Sequence, residues 1–247
     1  MKGKVQMNEY SDFAYIYDKL TFDVDYEGYA DFIEQIFKNN NIKPELIADL
    51  ACGTGNMQCI LSDRGYDVIG IDNSVEMLEV AREKCNGALL LNQDITEFEL
   101  YGTVDCVLCL LDSVNYITDK TKLKKMFSLV HNYLNPNGLF IFDINSEFKL
   151  KNILGNNTFV YETDDVFYTW ENELINNKIN FYLNFFVLND DDKYTRIEET
   201  HTERLYKQNE IEQLLSETGF EQLETYADFK FKIPVANSER IIFSAKK

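Results

Sequence analysis

The sequence is poor in the features of fibrous, disordered and membrane-spanning chains. Only three of its 247 residues are proline, 27% are charged and 45% are hydrophobic. Such a composition is typical of a globular protein with a substantial core. No apolar run reaches the roughly 18 residues of a membrane span, and residues 1–10 lack the apolar stretch of a secretory signal. We therefore expect a cytoplasmic protein with one domain, or one domain with a large insertion.

Basic side chains are also scarce. The chain has 24 Lys and Arg against 42 Asp and Glu, for a net charge of -18. It has no evident surface for a phosphate backbone, so we expect neither a nucleic-acid nor a membrane partner.

Cysteines are few and odd in number. The five cysteines lie mostly in apolar segments, so we expect reduced core residues and no disulfide framework. Cys106 and Cys109 have a metal-like spacing, but positions i and i+3 of a strand point to opposite faces, and no second pair accompanies them. We expect no metal site.

Strand-length apolar segments alternate with helical patterns in the first part of the chain. We predict strands at residues 46–51, 68–72, 88–92, 104–111 and 139–144, and helices at residues 56–64, after residue 73, and at 118–134. Asn73 and Glu76 have the spacing of an N-cap and its N3 partner. The alternation predicts a doubly wound α/β sheet with ligands outside the carboxyl ends of its strands.

This rhythm changes after Ser146. Aromatic and β-branched segments at residues 167–170, 179–188 and 194–206 predict strands, with hairpin turns at 176–177 and 189–192. A helix at 210–218 and strands at 222–229 and 240–245 then follow. We therefore predict an α/β domain of residues 1–145 and 207–247, interrupted by an antiparallel β insertion at 146–206.

A glycine-rich turn follows the first predicted strand, with the sequence DLACGTGN at residues 49–56. Its glycines permit positive φ and let a ligand approach the backbone, although a tight connection alone would also use them. Asp72 closes the second strand 17 residues after Gly55, where a carboxylate can accept hydrogen bonds from both ribose hydroxyls. Asp94 ends the third strand and can accept from an adenine amino group, while Ile95 can pack on the ring.

The type of nucleotide cofactor follows from two residues. A dinucleotide fingerprint requires glycine where this chain has Gln58. Asp49 would repel a pyrophosphate but suits the cationic amine and sulfonium of S-adenosylmethionine. The sequence thus favours S-adenosylmethionine over a nicotinamide dinucleotide.

Three segments together resemble the motifs of class I (Rossmann-like) S-adenosylmethionine-dependent methyltransferases: DLACGTG at 49–55, DNSVEML at 72–78 and DI at 94–95. The resemblance implies a seven-stranded Rossmann-like methyltransferase sheet whose antiparallel strand is supplied by residues 240–245. It also implies that the glycine turn contacts the methionine part, Asp72 the ribose, and Asp94 and Met77 the adenine. Ala51 stands where the family often has glycine.

Three further segments resemble small-molecule N-methyltransferases of the aminosugar and glycine types: YSDFAYIYD at 10–18, LDSVNY at 111–116 and EETH at 198–201. This resemblance implies that the N-terminal tyrosine segment folds over the cofactor and that the insertion acts as a lid on the acceptor. Tyr116 stands where the aminosugar enzymes carry a histidine, so the acceptor of those enzymes cannot be assigned to this chain. The aromatic insertion could equally build an ordinary hairpin core.

The expected cofactor-binding residues are Tyr10, Tyr17, Asp49, Ala51, Cys52, Gly53, Gly55, Asp72, Asn73, Met77, Asp94, Ile95 and Leu110. Tyr116 and His201 are the expected catalytic residues, facing the methyl group from opposite sides. Strand alternation places Glu199 and Glu203 on the face of His201, where a carboxylate can orient the ring or raise its pKa. A histidine on a polar strand is often merely exposed, however, and a tyrosine after a strand is often a packed cap.

We expect methyl transfer by in-line displacement to a small-molecule acceptor, an amine, in a monomer or homodimer. Two alternatives stay open at this stage. One is a nicotinamide-dependent oxidoreductase, which Gln58 and Asp49 disfavour, and the other is a non-catalytic cofactor-binding protein.

Overall fold

The structure, a computed structural model, describes residues 12–21, 23–85, 87–189 and 191–247. Tyr10 lies outside these ranges. The helices are α1 (Asp12–Leu20), α2 (Tyr26–Asn39), α3 (Asn56–Asp63), α4 (Val75–Lys84), α5 (Lys120–Tyr133) and α6 (Gln208–Glu217). Among the described residues, no helix combines the length and the apolar character needed to cross a bilayer.

The strands fall into two groups. The first five are β1 (Leu46–Leu50), β2 (Asp67–Asp72), β3 (Leu89–Asn92), β4 (Val104–Cys109) and β5 (Leu134–Asn145). The next four are β6 (Thr158–Glu162), β7 (Val166–Ile175), β8 (Lys178–Leu188) and β9 (Tyr194–Arg204), and the last two are β10 (Glu221–Ala227) and β11 (Arg240–Lys246).

In the described part of the chain, seven strands form one sheet in the order β10-β11-β5-β4-β1-β2-β3. β1 pairs in parallel with β2 on one side and with β4 on the other. β11 runs antiparallel to both β5 and β10. The doubly wound Rossmann-like methyltransferase sheet is therefore confirmed, including the antiparallel strand near residues 240–245. Its strand order reverses between β1 and β4, which is where such sheets bind ligands.

Each face of this sheet carries its own apolar core. On one face, Val107 and Cys109 of β4 pack with buried residues of α5 and α6. On the other face, Cys106 and Leu108 pack with buried residues of α2 and α3. The two cysteines thus point to opposite faces, as strand alternation predicts.

The insertion forms a separate four-stranded antiparallel sheet in the order β6-β7-β8-β9. Ile175 pairs with Lys178 across the predicted turn at residues 176–177. Asn189 donates its backbone N–H to the Lys193 carbonyl at 2.8 Å, closing the second hairpin. Sequence patterning missed β6 and the helical turn Lys149–Leu154, because neither has a strong hydrophobic period.

Two local expectations are wrong. The cap of α4 is Ser74, whose hydroxyl accepts from the Met77 N–H at 3.1 Å, and not Asn73, which is exposed. Asp72 accepts the Ser74 N–H at 2.9 Å, which moves the start of the helix one residue later. The cysteines are also not all reduced, since a disulfide joins Cys59 to Cys85. Cys59 lies on α3 and Cys85 directly follows α4, and their spacing along the chain does not reveal that they are close.

Candidate active site

The glycine-rich turn that follows β1 has three residues in the left-handed region: Ala51 (φ 55°), Gly53 (φ 54°) and Gly55 (φ 78°). A Cβ added to Gly53 would meet no heavy atom within 4 Å, so a ligand can reach this backbone. At Gly55 the added Cβ would lie 3.0 Å from the Ala81 Cβ and 3.2 Å from the Cys85 Sγ. Gly55 therefore serves the packing of the turn on α4.

Two buried acids stand at the ends of neighbouring strands beside this turn. Asp72 is 8% exposed and accepts from the N–H groups of Gly53 and Ser74, each at 2.9 Å. Asp49 is 3% exposed, and burial together with the charge of Asp72 raises its pKa to about 7. Buried carboxyls with raised pKa values are stabilised by a nearby cation. An open backbone beside two such acids fits a cationic, ribose-bearing cofactor.

Further along the sheet edge, the expected adenine residues lie on α4 (Met77) and just after β3 (Asp94 and Ile95). Asp94 is exposed, and its Oδ1 accepts from the N–H and the hydroxyl of Thr96, at 2.7 and 2.8 Å. Its second carboxylate oxygen stays available to a ligand. Met77 and Ile95 are half-buried.

Helix α1 is fastened to the glycine-rich turn through Asp18. Its carboxylate accepts from the Thr54 hydroxyl at 2.7 Å, the Asn56 amide at 2.9 Å and the Lys84 ammonium at 2.6 Å. This places Tyr17, the preceding residue, against the same turn.

One cavity brings together six of the expected cofactor residues: Tyr17, Asp49, Ala51, Cys52, Gly53 and Leu110. It is also lined by Tyr26, Thr54, Leu111 and Ser113, which sequence reasoning missed. Thr54 lies inside the quoted glycine motif, and the last two lie inside the LDSVNY segment, so a signal for these three was present. Gly55, Asp72, Asn73, Met77, Asp94 and Ile95 lie outside this cavity.

After β4, Leu111 and Asp112 both have positive φ, 56° and 55°. Asp143, which is fully buried, accepts their two backbone N–H groups at 2.7 and 2.9 Å. Arg240 of β11 bonds both Asp143 and Asp112, the latter at 2.7 Å. Non-glycine residues persist in this conformation only where the surroundings over-determine it, and here Asp143 of β5 and Arg240 of β11 do so.

The expected catalytic pair lies beyond this turn. The rings of Tyr116 and His201 meet edge to face with centroids 5.8 Å apart, so the two residues lie together and not on opposite sides. The rings meet because the single 3₁₀ turn Ser113–Tyr116 packs against β9. The His201 Nε2 lies 3.9 Å from the Glu199 Oε2.

Burial governs the titration of this pair. It lowers the pKa of His201 although Glu199 lies nearby. Tyr116 exposes 46% of its surface, but the protein atoms packed around its hydroxyl, and then the charges of Glu203 and Asp112, raise its pKa well above the usual value. The neutral forms of both side chains are therefore favoured at neutral pH.

Helix α1 also contacts the antiparallel sheet. Phe13 packs against Phe185 with centroids 5.6 Å apart and against His201 at 6.0 Å. Ile16 shares a small core with Val166 and Phe185. α1 thus lies between the glycine-rich turn and the insertion.

Comparisons with known proteins agree with this geometry. Residues 47–138 match a methyltransferase domain family. A solved S-adenosylmethionine-dependent methyltransferase from Clostridium acetobutylicum is 40% identical, with 97% of this chain and 99% of that chain covered and a TM-score of 0.89. YqeM of Bacillus subtilis (strain 168), which carries the name of a methyltransferase, is 34% identical over 96% of this chain and 97% of its own length.

A more distant relative is glycine/sarcosine N-methyltransferase of Halorhodospira halochloris, 28% identical over 87% of this chain and 79% of its own length. These findings set aside the nicotinamide-dependent and non-catalytic alternatives. This fold, together with a relative that is 40% identical and covers 97% of this chain, shows that the chain belongs to the class I S-adenosylmethionine-dependent methyltransferases and is an enzyme.

Proposed function

We propose that this methyltransferase acts on the amine nitrogen of a small molecule that binds beside Tyr116 and His201, near α1. The observation that carries the proposal is the uncharged His201 side chain, held beside Tyr116 and 3.9 Å from the Glu199 carboxylate. Two groups of relatives support the amine as acceptor. Their names are glycine/sarcosine N-methyltransferase and, over 47% of this chain, dTDP-aminosugar N,N-dimethyltransferase.

An amine must lose its extra proton before it can attack. When bound, S-adenosylmethionine supplies a methyl group already activated by the sulfonium, so the protein has chiefly to orient the acceptor and exclude water. His201 has a lowered pKa, is neutral at pH 7 and can take a proton from the ammonium form of the acceptor. Glu199 then stabilises the resulting imidazolium.

For the cofactor, we assign separate tasks to the strand ends. Asp72 has lone pairs left for the ribose hydroxyls, and the open backbone at Gly53 admits the methionine part. Asp49 faces the cationic amine. Met77, Asp94 and Ile95 border the adenine, while Tyr17 and Leu110 enclose the methionine end.

We also propose that residues 146–206 roof the acceptor, while residues 1–145 and 207–247 hold the cofactor. Two contacts support this division. Lys19 of α1 forms an ion pair with Asp165 in the turn before β7, and Ile16 packs on Phe185 of β8. The insertion also has a core of its own around Trp170 and Phe181, so part of its aromatic content serves its own folding.

A paired screen tests the proposal. The protein is incubated with S-adenosylmethionine and small amines, each matched with the alcohol of the same carbon skeleton, and release of S-adenosylhomocysteine is measured. We expect turnover with one or more amines and none with the matched alcohols. Turnover of alcohols with inert amines would overturn the amine assignment and leave the family assignment intact.

A further inference from the structure

Glu203 of β9 is a buried acid for which methyl transfer has no direct use. It is 2% exposed, and its Oε2 accepts from the Asn145 amide at 3.1 Å. Its carboxyl group lies beside that of Asp112, within reach of a hydrogen bond between the two side chains. Two carboxyl groups can form such a bond only if one of them holds a proton, so this pair shares one.

The surroundings decide which partner holds the proton. Asp112 accepts from the positively charged Arg240 guanidinium at 2.7 Å. Glu203 has no arginine partner of this kind among the described residues. The groups packed around Glu203, with those directly behind them, are Asp112, Tyr116, Asp143, Asn145, Lys149 and Arg240.

A charge count leads to the same assignment. The buried cluster holds three acids, Asp112, Asp143 and Glu203, against the two cations Lys149 and Arg240. It reaches neutrality when one acid is protonated, and buried clusters are most stable when their charges balance. Asp112 and Asp143 both pair with Arg240, so the proton resides on Glu203.

We propose that Glu203 is a positioning residue that, as a protonated acid, donates to Asp112 and thereby holds the Leu111–Asp112 turn and Tyr116 in place. Leu111 and Ser113 line the cavity of the glycine-rich turn, so the position of this turn shapes the cofactor site. Asn115 of the same segment donates to the Arg204 carbonyl next to Glu203 at 2.9 Å, which joins the turn to β9 a second time. The inference does not depend on which acceptor is methylated.

The role has a definite pH dependence. Burial, and then the charge of Asp112, raises the pKa of Glu203 well above its ordinary value. Above that ordinary value the folded protein binds a proton that the unfolded chain has lost. The contribution of Glu203 to stability is therefore fully present at low pH and declines as pH rises toward its folded pKa.

The test compares Glu203→Gln and Glu203→Ala with the wild type. Glutamine reproduces the protonated acid, because its amide can donate to Asp112 and its oxygen can accept from Asn145. Glu198→Gln is the matched control, since Glu198 is an exposed glutamate of the same strand. Tm and the affinity for S-adenosylhomocysteine are measured between about pH 6 and pH 9.

We expect Glu203→Gln to bind S-adenosylhomocysteine within about threefold of the wild type, and Glu203→Ala to bind it about tenfold or more weakly. The Tm of Glu203→Gln relative to the wild type should rise with pH, while Glu198→Gln follows the wild type. Equal losses in Glu203→Gln and Glu203→Ala, a normal affinity in Glu203→Ala, or a Tm difference independent of pH would each overturn the proposal. If Glu203→Ala does not fold, the pH series on Glu203→Gln decides by itself.

Discussion

The two sheets of this enzyme contribute to the site through different kinds of contact. In the parallel sheet, backbone groups meet buried acids: Asp72 bonds two backbone N–H groups at 2.9 Å, and Asp143 bonds two at 2.7 and 2.9 Å. The antiparallel sheet meets α1 through side chains, with Phe185 against Phe13 and Ile16. Backbone contacts fix a cofactor that is the same for every turnover, whereas side-chain contacts can change with the acceptor and leave the sheet intact.

The largest expected effect separates transfer from cofactor binding. His201→Ala should lower turnover of an identified amine by about 10²–10⁴-fold, because the proton acceptor beside Tyr116 is lost. The affinity for S-adenosylhomocysteine should stay within about twofold. Thr200→Ala, on the exposed face of the same strand, is the control. A loss under about threefold in turnover would mean that His201 only lines the pocket and that orientation carries the reaction.

Next in size is the loss of an acid from the parallel sheet. Asp72→Ala should weaken S-adenosylhomocysteine binding by about 1.5–3 kcal/mol, because a charged acceptor of hydrogen bonds is removed. Asp67→Ala, at the exposed start of the same strand, should bind normally. Calorimetry measures both affinities. A folded Asp72→Ala variant that binds normally would place the ribose elsewhere.

A pH effect on cofactor binding should be smaller. Asp49 has a pKa raised to about 7 by burial and by Asp72, so it gains its charge as pH rises through neutrality. The ligand-free folded protein loses stability as pH rises through neutrality, because the raised pKa of Asp49 makes the folded state bind more protons than the unfolded chain. A cation beside Asp49 favours the charged form, so the affinity for S-adenosylhomocysteine should rise by up to about tenfold between pH 6 and pH 8. Asp49→Asn should lose this slope, and a slope equal to that of the wild type would contradict the assignment.

The smallest effect should come from the ion pair between α1 and the insertion. Lys19 and Asp165 are about half-exposed, and such pairs contribute at most about 1 kcal/mol. Lys19→Ala should therefore change turnover and S-adenosylhomocysteine affinity by less than about threefold. Ile16, in the same helix, has a buried contact with Phe185 of β8, so Ile16→Ala should have the larger effect. The reverse order would mean that charge, and not packing, holds α1 against the insertion.

Local patterns were sufficient for the parallel sheet. The glycine turn, the acids at Asp49 and Asp72 and the alternation of strands and helices are all short-range signals. The boundaries were less accurate, as the cap at Ser74 shows, because Asn73 and Ser74 are both good capping residues and only the structure shows that the Ser74 hydroxyl accepts the Met77 N–H.

Contacts between distant segments were not readable in this way. The disulfide between Cys59 and Cys85 spans 26 residues and two helices. The sequence indicated Glu203 only as a neighbour of His201 on one strand face, and Asp112 only as part of the LDSVNY segment. Only the fold brings them together, with the Arg240 guanidinium 2.7 Å from Asp112.

The sequence by itself determined the fold class and the type of cofactor. Both depend on short segments, each made of a strand and the turn that follows it, in which residues close along the chain are also close in space. The tertiary structure alone decided that Tyr116 and His201 lie on the same side, that burial lowers the pKa of His201, and that α1 joins the two sheets. Each of these results depends on which residues pack around a given side chain and shield it from water. That is a property of packed neighbours from distant parts of the chain.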